Sequence, residues 1–154
     1  MKSSTATDPV GRSRLILGGA AVGVVCAGLL ARGLPGVAGD ISGGTLYAVL
    51  VYLLVALLVP AARAVAIGGM AFVVCAGVEL LQLTGLPAVL GSVFPPIRLI
   101  LGTTFVATDL LSAAAGSVIA ALVDGAVRRR SSAVARRDES MHPRLEQAES
   151  SDNG

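Results

Sequence analysis

The chain has 154 residues, a formal net charge of +2, 54% hydrophobic and 14% charged residues, and a mean hydropathy of +0.78. This is the profile of an integral membrane protein, and no nucleic-acid partner is expected from it. The one histidine, His142, lies in a polar tail, which excludes serine–histidine catalysis; the lack of a Cys/His cluster or a Gly-rich phosphate loop leaves no reason to expect a metal or another cofactor.

Between Leu15 and Val127 the ionisable acids and bases reduce to Arg32, Asp40, Arg63, Glu79, Arg98, Asp109 and Asp124. A helix needs about 20 apolar residues to cross a bilayer, and four segments approach that length: 15–31, 41–59, 64–83 and 105–123. After a short tail, 1–14, the first is flanked by Arg14 and Arg32, which can snorkel to the headgroups. It reads as a span rather than a cleaved leader, because its apolar run is longer than that of a typical signal peptide. Cys26 and Cys75 fall inside apolar runs and read as packing residues without a disulfide.

Segments two and three are joined by little more than Pro60–Arg63, which enforces an antiparallel hairpin. The stretch from Thr84 to Thr104 is too apolar for an ordinary loop and is interrupted by Pro87, Pro95 and Pro96. It reads as an interfacial or re-entrant segment with a short helical piece at Ile97–Leu101. Residues 128–154 begin with three arginines and continue as a polar tail expected to be disordered. The fold class expected is therefore all-α: a compact four-helix transmembrane bundle with an extra segment between helices three and four.

Of the twelve basic residues, only Arg32 and Arg98 fall on the side opposite the termini. The positive-inside rule then places both termini in the cytoplasm and the protein in the cell membrane as a multi-pass protein. Asp40 opens helix two at the outer face. Glu79 near the end of helix three and Asp109 near the start of helix four each lie about 6 Å in from that face. With Gln82, Arg32 and Arg98 they form a candidate polar binding cluster. Asp40 suits a helix N-cap and Asp109 a first turn, but Glu79 sits at a helix C-terminus, where a carboxylate is disfavoured unless paired or protonated. Arg98 is its expected partner. Small-residue stripes on helix four (Ser112, Gly116, Ala120, with Asp109) and helix one (Gly19, Gly23, Ala27) suit close helix packing, within the bundle or in a homo-oligomer.

The series Arg32, Gly39-Asp40, "VELLQL" (Val78–Leu83), Arg98, Leu101-Gly102, Phe105, Asp109 and Gly116 resembles a family of short bacterial membrane proteins, domain of unknown function 2809. It is also similar to the VanZ-like proteins, whose founding member is associated with teicoplanin resistance; this chain has "ISGG" after Asp40 and Ala113-Ala114 where that family usually carries Lys, His and Asn. The resemblance implies a four-span membrane bundle carrying this polar site. Three functions fit the residues: binding or modulating a lipid headgroup or lipid-linked envelope precursor; intramembrane catalysis on a lipid-linked substrate, with Glu79 or Asp109 as acid or base; and proton-coupled transport as a small subunit.

Overall fold

The computed structural model describes residues 14–31, 33, 36–101 and 107–152. These form helices α1 (Arg14–Ala31), α2 (Val37–Leu58), α3 (Ala64–Gln82), α4 (Leu86–Val93), α5 (Ile97–Leu101) and α6 (Ala107–Asp152). Among the described residues α1, α2, α3 and Thr108–Val134 of α6 are long and apolar enough to cross a membrane, as the sequence predicts. The chain divides into two units, Met1–Ala121 and Leu122–Gly154.

In the first unit each break has a local cause. Gly36, at φ 65°, precedes α2 in a conformation that favours glycine. α2 therefore starts at Val37 rather than Ile41, and Asp40 is not its cap: it stands inside the first turn, where its charge meets the positive end of the helix. The α2–α3 turn runs through Pro60, and the Tyr52 hydroxyl, buried in the core, donates to the Ala64 carbonyl across it (3.5 Å). After α3, Thr84 Oγ1 donates to the Leu81 carbonyl (2.6 Å) and accepts from the Leu86 N–H (3.3 Å), while Gly85 turns left-handed at φ 71°. Pro87 then suits the first turn of α4, which lacks N–H partners in any case. Phe94, extended before Pro95-Pro96, ends α4. The segment between the third and fourth spans is thus two short helices, of which the sequence predicted α5.

The core is built from small residues and a few large ones. Ala48, Tyr52 and Ala56 of α2 meet Ile67, Ala71 and Cys75 of α3 and Ala113 and Ala120 of α6. A Cβ on Gly116 would lie 2.5 Å from the Thr45 carbonyl oxygen, and one on Gly44 would lie 2.9 Å from Ser112 Cβ, so α2 and α6 approach almost backbone to backbone. The small-residue stripe of α6 therefore faces the bundle. The α1 stripe does not: Gly19, Gly23 and Ala27 are exposed, and so is Cys26, which is free and packs nothing in this core. Leu15, Val65, Leu111 and Leu122 are among many large apolar side chains left outward, as lipid-facing positions require.

In the second unit α6 remains helical to Asp152, whereas the sequence predicts a disordered tail. No glycine follows Gly125 until Gly154, and alanine, arginine and glutamate recur. An Asp124–Arg128 ion pair at 3.3 Å and Ser131 and Ser132 hydroxyls donating to carbonyls four residues earlier lie along it.

Candidate functional site

In the first unit, α1 and α3 end where α2 and α6 begin, and there the helices line an open cavity of about 760 Å³. Its wall includes Asp40, Glu79, Gln82, Arg98 and Asp109, so the structure brings together five of the six predicted site residues. The sixth, Arg32, lies outside the described residues.

Helical spacing explains how each element delivers its contribution. On α2, Asp40, Gly43, Gly44 and Tyr47 fall at i, i+3, i+4 and i+7 and share one face. On α3 the same pattern carries Cys75, Val78, Glu79 and Gln82, and on α6 Asp109 and Ala113 lie one turn apart. The fourth wall is apolar: Val24, Val25, Gly28 and Leu29 of α1. The cavity is therefore mixed in character, with polar groups from α2, α3, α5 and α6 and a purely aliphatic contribution from α1.

The acids are electrostatic neighbours. Glu79 lies in the field of Asp109, Asp109 in that of Asp40, and Tyr47 and Cys75 in that of Glu79. The described residues hold no group of three or more His, Cys, Asp or Glu side chains arranged to bind a metal ion.

Gln82 holds α5 in place. Its Nε2 donates to the Leu101 carbonyl over 2.6 Å, joining the last residue of α3 to the last residue of α5. Arg98 is further located by Gly91 of α4, whose missing side chain leaves room for the Arg98 stem. Glu79 and Arg98 share the cavity, but no ion pair joins them among the described residues, contrary to the pairing expected from sequence; the Arg98 stem lies instead against Gly91. Glu79 Oε2 and Gln82 Oε1 are buried without a hydrogen-bond partner among the described residues.

The sequence reading missed Tyr47, Cys75 and the apolar wall. For Tyr47 the signal was present: it stands seven residues after Asp40, with Gly43 and Gly44 between them on the same helical face. Nothing comparable marks Val24 or Leu29, which look like any lipid-facing residue.

No curated protein and no solved structure matches the chain. The family described as Protein of unknown function (DUF2809) matches residues 33–117, from the residue after Arg32 into α6, and so takes in the five predicted site residues that line the cavity. As that match covers more than half of the 154 residues, the chain belongs to the DUF2809 family.

Proposed function

We propose that this protein binds an amphiphilic molecule at the outer face of the cell membrane, holding its polar head against Asp40, Glu79, Gln82, Arg98 and Asp109 and its chain along the α1 wall. The observation that carries this reading is the mixed lining of the cavity: polar side chains from four helices share one space of about 760 Å³ with Val24, Val25 and Leu29. Ligand sites of this size combine an apolar lining with a few convergent polar groups. Ionisable residues within membrane-spanning segments are also costly to keep and by default point to a functional site. The outward placement is supported by the segregation of arginines, which puts the cavity end opposite the basic termini. A lipid headgroup or the head of a lipid-linked envelope precursor has the required chemistry.

A cavity-filling variant tests the proposal. A Cβ on Gly43 meets no atom within 4 Å, although the residue lines the cavity, so Gly43→Leu inserts a side chain there without displacing the core. Native mass spectrometry of the purified protein should show an amphiphile retained by the parent chain and lost from Gly43→Leu at unchanged melting temperature. Equal retention by both would overturn the proposal.

A further inference from the structure

We propose that the head of the bound amphiphile carries a primary ammonium group beside a phosphate, as an aminophospholipid does; the inference rests on the cavity being an amphiphile site. It follows from an account of donors and acceptors. The Leu101 carbonyl can only accept, so its hydrogen bond with Gln82 fixes which end of the amide faces α5: the nitrogen is committed there, and Oε1 is the end left over. Among the described residues no donor reaches that buried oxygen, and none reaches Glu79 Oε2. Buried acceptors are nearly always satisfied in folded proteins, and leaving them unpaired is costly. Both residues line the cavity, so a ligand there is placed beside acceptors that the described residues leave unpaired.

The rest of the wall has the same bias. Asp40 and Asp109 add two more carboxyl groups, whereas Arg98 is the one cationic side chain among the described lining residues. A head that fits this wall must donate several hydrogen bonds and carry positive charge. A primary ammonium does both, with three N–H donors. A trimethylammonium has the charge but no N–H, and a glycerol head has hydroxyl donors but no charge. The phosphate adjoining the ammonium then falls to Arg98, whose planar guanidinium binds phosphate in two places. Arg98 on α5 is exposed, whereas the two acceptors at the end of α3 are buried, so the ammonium goes to the deeper groups and the phosphate to the outer one.

The experiment compares short-chain phospholipids of identical acyl length with ethanolamine, choline or glycerol heads, and chain-free phosphoethanolamine, for binding to the purified full-length protein by native mass spectrometry titration. The ethanolamine lipid should bind at least about tenfold more tightly than the choline and glycerol lipids, as the loss of one charge-assisted hydrogen bond implies. Glu79→Gln should shrink that preference to within about threefold while leaving lipid bound. Equal binding of the three lipids, or preference for the choline or glycerol head, would overturn the ammonium inference and leave the amphiphile reading standing. Chain-free phosphoethanolamine binding as tightly as the lipid would do the reverse, and no binding of any of the four would overturn both.

Discussion

Gly91 of α4 and Arg98 of α5 meet so closely that a side chain on the first would displace the second: a Cβ on Gly91 would lie 2.5 Å from Arg98 Cγ and 2.9 Å from its Nε. Gly91→Ala should therefore push the guanidinium out of place and weaken amphiphile retention. The stem is flexible, so the loss of stability should stay near 1 kcal/mol, the low end for overpacking. Gly69→Ala, where an added Cβ meets nothing within 4 Å, should leave retention unchanged. Thermal unfolding in detergent alongside lipid retention separates the two effects, and identical behaviour of the two variants would refute the positioning role of Gly91.

The contact of α2 with α6 leaves less room for adjustment. At Gly116 the atom met is the Thr45 backbone oxygen, with Ala48 Cβ at 2.9 Å, and neither can rotate away. Gly116→Ala should cost about 2–3 kcal/mol in detergent. Gly77→Ala, an exposed α3 position with nothing within 4 Å of an added Cβ, should cost nothing measurable.

Coupling energies locate the partner of Glu79. Because no ion pair joins Glu79 to Arg98 whereas Glu79 and Asp109 are electrostatic neighbours, Glu79→Gln and Arg98→Gln should add to within about 0.5 kcal/mol, and Glu79→Gln and Asp109→Asn should couple by more than that. Double-mutant cycles on unfolding temperature read both values. A strong Glu79–Arg98 coupling would contradict the arrangement.

Topology is open to a direct check. A reporter fused after Arg130 should behave as cytoplasmic and one placed at Gly91 as external, because ten of the twelve basic residues share the first side. A cytoplasmic reading at Gly91 would turn the cavity inward.

Much of this fold was legible in the sequence because each span is an apolar run bounded by arginine, proline or glycine, and the lipid environment leaves little choice but helix for such runs. The convergence of the candidate residues was legible for a related reason: Asp40, Glu79, Gln82, Arg98 and Asp109 are rare polar residues in apolar surroundings, and alternating span directions bring them to one end. Side-chain pairing was not legible. Sequence separation favoured Arg98 as the partner of Glu79, but the direction of the Arg98 stem depends on Gly91, a residue of a short helix that no periodicity announces. The helical tail was missed because low apolar content argues against burial but does not by itself argue against helix. The apolar α1 wall was invisible because a residue facing lipid and one facing an amphiphile's chain are chemically alike.

The central claim is that the amphiphile sits in this cavity rather than on the outer surface of the helices. An amphiphile bearing a photoreactive group next to its polar head, bound to the purified protein and irradiated, tests it directly by peptide mapping. The account predicts crosslinks concentrated on Asp40–Tyr47 and Cys75–Gln82 and abolished by Gly43→Leu. Crosslinks spread over outward residues such as Leu15, Val65 and Leu111, and unaffected by Gly43→Leu, would contradict it.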